Sequence, residues 1–209
     1  MAEIAVDVVL LPSEEMADKT IAANRELQKQ YADKIILDKE SCLPHISLAM
    51  GCIDERDIAD IEKILQTIAK QSSLGQLSAI GIHISENSAG EQVSVLRIER
   101  TESLQSLHEE VMRRLEQYFN YDVTVDMVLS PPMASESTLA WIKNYPEKAS
   151  FEKFFPHITI GYGEINDYSF GFPQGGVPPT EFAVSKLALC HLGNHCTCRK
   201  ILASAELKS

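Results

Sequence analysis

The sequence predicts an α+β fold with antiparallel sheets, and two observations lead to this prediction. Segments of strand and helix character follow one another without the regular strand–helix–strand alternation that builds a parallel sheet. A segment of twelve residues also occurs twice, about half a chain apart, as duplicated lobes would require. With 209 residues, 44% of them hydrophobic, the chain is long enough to bury a substantial core. We therefore expect residues 1–209 to form a single domain of two related halves.

The first half of the chain is predicted to hold two helices among several strands. Ser13, followed by two acidic residues, is a typical N-cap for the first helix. Asp54 is predicted to cap the second helix, in which Ile and Leu recur at helical spacing. β-Branched or alternating apolar residues predict strands over 4–11, 34–37, 43–50, 80–84 and 93–98.

The second half repeats this pattern loosely. Thr101 begins a third helix, on which His108 is interpreted as a surface or boundary residue. A short fourth helix is predicted from Ser135 to Tyr145. A segment rich in Gly and Pro, residues 171–179, is typical of an exposed loop. The predicted strands are 123–129, 154–162 and a final hairpin made by 187–191 and 196–202.

The net charge of −11 limits the partners of this chain. Tight binding of a long nucleic acid depends on clustered Lys and Arg that release counterions, and an acidic chain gains little from it. A small phosphate-bearing substrate, held by a few local donors, is compatible with this charge. No apolar run approaches the length of a membrane span. We therefore expect a monomeric cytoplasmic protein that does not associate with a membrane and does not bind a long nucleic acid tightly.

The five cysteines, an odd number without a regular spacing, predict reduced thiols. The segment from Cys190 to Cys198 nevertheless carries five potential metal ligands, which are Cys190, His191, His195, Cys196 and Cys198. Zinc sites usually draw on paired Cys-x2–4-Cys knuckles, and a Cys-x-Cys on a strand fits that pattern poorly. We interpret the segment as a buried strand hairpin and expect no metal and no cofactor. A metal-binding regulatory protein built on Cys190–Cys198 is the alternative.

The internal repeat is the strongest feature of the sequence. Residues 44–55, PHISLAMGCIDE, align without gaps to residues 156–167, PHITIGYGEIND, and five of the twelve positions are identical. The other positions include the conservative pairs Ser/Thr, Leu/Ile, Asp/Asn and Glu/Asp. His83-Ile84-Ser85 shows how easily the central tripeptide arises, but it lacks the preceding Pro and the following Gly. We therefore expect His83 to have no direct role in the chemistry.

Each repeat presents an imidazole and a hydroxyl together. Side chains two residues apart on a strand face the same side, so His45 lies beside Ser47 and His157 beside Thr159. Two such strands would place two imidazoles on either side of one phosphorus. A neutral His would then accept a proton from the attacking water, and a protonated His would donate one to the leaving oxygen. The two hydroxyls would hold the non-bridging oxygens as charge develops on them.

Paired Pro-His-Ile-Ser/Thr segments separated by half of a chain of this size resemble the 2H phosphoesterase superfamily. This superfamily includes 2′-5′ RNA ligase-like proteins and cyclic nucleotide phosphodiesterases. The resemblance implies two pseudo-symmetric α+β lobes with a cleft between them. It also implies metal-independent action on 2′,3′-cyclic phosphates or 2′-5′ linkages of nucleotides or short RNA ends. The superfamily's four motif positions correspond to His45, Ser47, His157 and Thr159.

Two further interpretations accompany this one. Tyr162, five residues after His157, is a candidate for stacking a base at the mouth of the site, with core packing as the other reading. A non-catalytic module that binds nucleotides or RNA ends would use the same residues. Which of the two histidines is the acid stays open, because the duplicated motifs look alike.

Overall fold

The computed structural model describes residues 2–31, 34–86, 90–165 and 180–207. In these residues, four helices lie on one antiparallel sheet of eight strands. The helices are α1 Glu14–Gln28, α2 Ile58–Gln71, α3 Glu102–Leu115 and α4 Glu136–Lys148. The strands are β1 Glu3–Pro12, β2 Ile46–Asp54, β3 Leu77–Glu86, β4 Gln92–Ile98, β5 His157–Tyr162, β6 Thr180–Phe182, β7 Val184–Gly193 and β8 Thr197–Glu206.

The sheet consists of two four-stranded halves that meet at the motif strands. The strand order is β6-β3-β4-β5-β2-β1-β7-β8, so the two motif strands β5 and β2 are the central neighbours. They are joined through a single antiparallel pair, Ile46 with Ile158. In each half the motif strand pairs next with one long strand, β1 or β4. This arrangement confirms the predicted α+β fold with related halves.

One continuous core lies beneath both halves. The helix α2 packs on β8, whereas α1 packs on β5 and α3 packs on β2. Helices α1 and α3 thus each cross to the motif strand of the opposite half. The core cluster contains fully buried residues from both halves, among them Leu48, Leu96, Ile158 and Leu187. No helix in the described part of the chain has the length and apolarity needed to cross a bilayer.

Two predicted strands were wrong. Residues 34–37 form no strand, because the side-chain amide of Asn24 accepts from the backbone N–H of Leu37 and donates to the carbonyl of Ile35. Residues 125–127 form a 3-10 turn instead of part of a strand over 123–129. A hydrogen bond of 2.6 Å from the Thr124 hydroxyl to Asp126 spans this turn. The predicted loop 171–179 lies outside the described residues.

The expectation of five reduced thiols was also wrong. Cys190 on β7 and Cys198 on β8 form a disulfide with 5.5 Å between their Cα atoms. The neighbouring strands pair antiparallel and bring the two side chains together. The predicted hairpin around this bond is present, and Cys42, Cys52 and Cys196 are free thiols.

Candidate active site

The central pair of the sheet brings the two motifs together. Antiparallel pairing about Ile46 and Ile158 places His45 across from Thr159 and Ser47 across from His157. The two isoleucines are fully buried on one face, so the four motif side chains lie on the other face. The imidazoles therefore stand at diagonal corners of one group of four polar side chains. This group occupies the junction where the two halves meet.

A β-bulge occurs at the same position in both motifs. In β2 the register with β1 slips by one residue between Ser47 and Ala49, and Leu48 is the extra residue. In β5 the register with β4 slips between Thr159 and Gly161, and Ile160 is the extra residue. Each bulge follows the hydroxyl residue directly. Bulges re-aim side chains next to functional sites, and this pair makes the two motifs equivalent in backbone as well as in sequence.

Each imidazole is fixed by its own strand. The Nδ1 atom of His45 lies 2.7 Å from the carbonyl oxygen of Leu43, and Nδ1 of His157 lies 2.7 Å from that of Phe155. A carbonyl only accepts, so in both rings Nδ1 carries the proton and donates it. The Nε2 atoms are then left to exchange a proton with a ligand.

Burial favours the neutral form of both rings. It lowers the pKa of His45 to about 4, against the raising effect of the bond to Leu43, and His157 lowers it slightly further. The pKa of His157 is also lowered, again mainly by burial. In the unliganded protein both histidines are therefore bases near neutral pH. A bound phosphate anion would favour the protonated form of the ring that contacts it.

Buried polar side chains of two helices support the bulges. The amide of Asn24 on α1 donates to the carbonyl of Ile160 at 2.8 Å, and Nδ1 of His108 on α3 donates to the carbonyl of Leu48 at 2.6 Å. Each helix thus satisfies the bulge of the opposite half. His108 is fully buried, which corrects its interpretation as a surface or boundary residue. Its Nε2 accepts a hydrogen bond of 2.7 Å from the backbone N–H of Phe151. Both ring nitrogens therefore have partners, so the ring can be buried in the core.

Asp7 is the site residue that the sequence analysis missed. It lies on β1 with no exposed surface, and its Oδ2 shares a hydrogen bond of 2.6 Å with Ser47 Oγ. The same Oδ2 is 3.9 Å from Nε2 of His45. The signal in the sequence is that Asp7 interrupts the apolar strand run from Ile4 to Leu11. A charged residue in the middle of a buried strand usually has a specific partner.

Tyr162 lies on the motif face, farther along β5. Through the register with Val93 and Val95 on β4 it shares a face with Thr159. Its hydroxyl is 2.9 Å from Nδ1 of His195, and the ammonium of Lys34 lies 4.9 Å from its ring centroid. The half-buried ring also packs against the apolar cluster of Ile21, Ile35, Leu37 and Cys42, as the core-packing interpretation predicts.

An exposed aromatic side chain adjoins His157 at the other end of the site. The ring of Phe155 is 44% exposed, and its centroid lies 5.4 Å from that of His157. The guanidinium of Arg97 is 6.0 Å from the Phe155 ring, and the ring of His83 meets it edge-on at 5.7 Å. His83 thus touches the surroundings of His157, although it contacts neither motif hydroxyl in the described part of the chain.

The Cys190–Cys198 segment does not offer the five ligands expected of a metal site. Two of its sulfurs are joined in the disulfide, and the ring of His195 is bound to Tyr162. Within the described residues, no group of three or more His, Cys, Asp or Glu side chains is placed to hold a metal ion. A cavity of about 650 Å³ lined by Glu3, Asp54, Asp126 and His191 includes none of the motif residues.

Comparisons with known proteins place this fold among solved structures. No family model and no curated protein matches the sequence. TT0787 of Thermus thermophilus is similar in structure, with a TM-score of 0.54 and 16% identity over 98% of both chains. A phosphoesterase structure has a TM-score of 0.48 at 13% identity, and E. coli LigT complexed with NADP+ has 0.49 at 15%, each covering 100% of both chains. The chain therefore has the fold of the Thermus thermophilus protein over almost its whole length.

Proposed function

We propose that this protein is a phosphoesterase that hydrolyses 2′,3′-cyclic phosphodiesters or 2′-5′ linkages of nucleotides or short RNA ends. The observation that carries the proposal is the symmetric pair of imidazoles. His45 and His157 lie in equivalent bulged strands, and each has its Nδ1 proton bound by its own backbone. Each ring therefore offers Nε2 to a ligand on the same face of the sheet.

The reaction needs one ring in each protonation state. A neutral Nε2 takes the proton of the attacking water while the other ring, protonated by virtue of the bound phosphate, gives its proton to the leaving oxygen. Ser47 and Thr159 hold the non-bridging oxygens, on which charge develops. No metal takes part in this scheme. Activity is therefore expected to survive a chelator.

The surroundings of His157 favour a substrate that carries a base. The exposed ring of Phe155 provides a stacking surface next to the imidazole, and Arg97 provides a cation on the same face. Tyr162 bounds the opposite end of the motif strand and remains a proposed substrate contact. The net charge of −11 favours a short substrate over a long nucleic acid.

The test is a panel of 2′,3′-cyclic nucleotides and 2′-5′ dinucleotides, assayed with and without EDTA. His45→Ala and His157→Ala are each expected to reduce kcat/KM by roughly 10²- to 10⁴-fold. The double variant is expected to lose much less than the product of the single losses, because the two rings act as one unit. His191→Ala is the matched control, since this half-buried strand histidine bonds to the carbonyl of Met127 outside the motifs. Near-normal turnover of either motif variant, or loss on chelation that a metal restores, would contradict the proposal.

The alternative is a non-catalytic module that binds nucleotides or RNA ends. One observation favours it, namely that burial keeps both histidines neutral in the unliganded protein. A module of this kind would bind the panel compounds without turning any of them over. Calorimetric binding of a cyclic nucleotide, with no product after prolonged incubation, would select this alternative.

A further inference from the structure

Asp7 is a buried acid whose surroundings favour the neutral form. Its Oδ2 is bonded to Ser47, and Oδ1 has no hydrogen-bond partner in the described part of the chain. Burying a carboxylate costs much free energy when one of its oxygens lacks a hydrogen-bond partner. Burying the neutral acid costs less, because it carries no charge and its oxygens are weaker acceptors. Burial accordingly raises the pKa of Asp7 well above its usual value and outweighs the lowering effects of the Ser47 hydroxyl and of the backbone N–H of Ala49.

In the described part of the chain, this acid has no counterpart in the second half. Asp7 pairs with Met50 on β2, and the equivalent pair in the second half is Val93 with Tyr162 on β5. The position of Asp7 is thus occupied by Val93 behind the second motif. Among the described residues, the hydroxyl of Thr159 has no side-chain hydrogen-bond partner, in contrast to that of Ser47. The two motifs are therefore equivalent in backbone but not in their supporting groups.

The direction of the bond between Ser47 and Asp7 decides what Ser47 can do. A serine hydroxyl has a single proton to donate. If Asp7 is ionised, Ser47 gives that proton to the carboxylate and presents only lone pairs to a phosphate. If Asp7 is neutral, its carboxyl donates a hydrogen bond to Ser47 Oγ. The serine hydroxyl can then donate its own hydrogen bond to an oxygen of the phosphate. A buried negative charge at Asp7 would also repel the phosphate.

We propose that Asp7 is a positioning residue that donates a hydrogen bond to Ser47 Oγ and thereby directs the Ser47 hydroxyl proton at a phosphoryl oxygen of the substrate. The inference rests on the proposed function and assigns the first motif a two-membered hydrogen-bond chain, from Asp7 through Ser47 to the substrate. No covalent bond forms or breaks in this chain. The second motif holds the phosphate through Thr159 without such support.

Other titratable groups face Asp7 from three elements. His45 approaches it from the residue before β2, Cys196 from the turn before β8, and Tyr145 from α4. Cys190 is its partner in register on β7 and does not titrate, because it is in the disulfide. Burial raises the pKa values of Cys196 and Tyr145, so both stay neutral over the working range. His45, whose pKa burial lowers to about 4, is then the remaining titratable neighbour of Asp7.

The sign of the pH effect follows from this arrangement. As the pH rises through the pKa of Asp7, the carboxylate forms, Ser47 turns its proton towards it, and the donor to the phosphate is lost. Affinity for an oxyanion therefore decreases on the alkaline side. Asp7→Asn keeps a donor for Ser47 that does not titrate, so this variant is expected to lack the part of the decrease that Asp7 causes.

Inorganic sulfate is the probe, because its charge is constant across this range. Its affinity is measured by calorimetry at two pH values, one below and one above the pH at which the ¹³C shift of the Asp7 carboxyl in the wild type shows that the acid ionises. Asp7→Asn is expected to bind sulfate as tightly as the wild type does at the lower pH and roughly tenfold more tightly at the higher pH. A tenfold change in affinity corresponds to about 1.4 kcal/mol, which is the contribution of one neutral hydrogen-bond donor. On a Ser47→Ala background the same substitution is expected to change the affinity little. Circular dichroism and thermal unfolding establish that each variant is folded.

Several outcomes would overturn the inference. They are an equal effect of Asp7→Asn at both pH values, an effect that persists without the serine hydroxyl, and no measurable sulfate binding by the wild type. If Asp7→Asn does not fold, the ¹³C shift of the Asp7 carboxyl in the wild type decides instead. Titration at or below the usual aspartate pKa of about 3.9 would then contradict the inference. Because sulfate is not turned over, the expected binding pattern without hydrolysis of any panel compound would contradict only the proposed function.

Discussion

At the scale of the residue, the two motif histidines make the same kind of backbone hydrogen bond but differ in the side chains near them. Both rings donate from Nδ1 to the carbonyl two positions earlier, so their tautomers are set locally. Only His45 has a carboxyl nearby, at 3.9 Å, among the residues that the structure describes. The difference arises from the strands that pair with the motif strands. At the equivalent position β1 has Asp7, whereas β4 has Val93.

The pH dependence of catalysis is expected to differ between the free and the bound enzyme. Burial lowers the pKa of both histidines, that of His45 to about 4. The profile of kcat/KM reports the free enzyme and is expected to have its maximum below the usual histidine pKa of about 6.5. The profile of kcat reports the complex, in which the phosphate anion raises both pKa values, so its maximum is expected at higher pH. Coincident maxima, with chemistry limiting the rate, would count against the two-histidine mechanism.

The two hydroxyls are expected to contribute unequally. Ser47→Ala and Thr159→Ala remove one phosphate donor each, which is worth on the order of 10- to 1,000-fold in kcat/KM. Only the loss from Ser47→Ala is expected to vary with pH, because Ser47 is the motif hydroxyl bonded to a titratable acid. Steady-state kinetics of both variants across pH check this. Full activity of both would remove the hydroxyls from the site.

His83 provides a control for the choice of catalytic pair. Its ring contacts Phe155 and not a motif hydroxyl, so His83→Ala is expected to retain most of the turnover. A change confined to KM would agree with a role in supporting the Phe155 ring. A loss of kcat as large as that of His45→Ala, in a folded variant, would show that the pair has been chosen wrongly.

At the scale of the element, the motif strands depend on helices of the opposite half. The bulge residues Leu48 and Ile160 turn their carbonyls away from the ladder, and His108 and Asn24 bind them. An unpaired buried carbonyl costs about 1–3 kcal/mol. The same contacts that stabilise the bulges therefore tie α3 to β2 and α1 to β5 across the junction.

The role of His108 predicts a pH dependence of stability. Burial lowers its pKa, and the ring must stay neutral because Nε2 accepts from Phe151. The contribution to stability is therefore complete above the unfolded pKa of about 6.5 and is lost as the pH falls below that value. His45 and His157 shift in the same direction, so the comparison is with His108→Gln, which does not titrate.

Urea denaturation of the two proteins from about pH 7.5 to about pH 5 measures this effect. The free energy of unfolding of the wild type is expected to fall more steeply than that of His108→Gln. At neutral pH the variant is expected to be less stable by about 1–3 kcal/mol, since it loses at least one buried hydrogen bond. Parallel slopes would show that His108 does not titrate with folding.

At the scale of the whole molecule, the two halves share little strand pairing but a common hydrophobic core. In the described part of the chain only the pair Ile46 and Ile158 joins the motif strands, yet one hydrophobic cluster includes residues of both halves. We therefore expect residues 1–209 to unfold as one cooperative unit, as a single domain would.

Fluorescence of the single tryptophan, Trp141 on α4, and far-UV circular dichroism provide independent probes of unfolding. Their urea transitions are expected to coincide, and amides of β1 and β4 are expected to exchange with similar free energies. Two separated transitions would show that the halves are independent folding units.

The sequence by itself determined the α+β class, most of the strands and helices, and the pairing of each motif histidine with a hydroxyl. These features depend on short-range geometry, namely alternation along a strand, helical spacing and caps. Tertiary structure decided which groups lie behind the motifs. Ser47 meets Asp7 from 40 residues away, His108 meets Leu48 from 60, and Asn24 meets Ile160 from 136. A lone polar residue in an apolar segment indicates that a partner is needed, but only the chain's path through space selects that partner, because burial makes any unpaired polar group costly wherever it lies in the sequence.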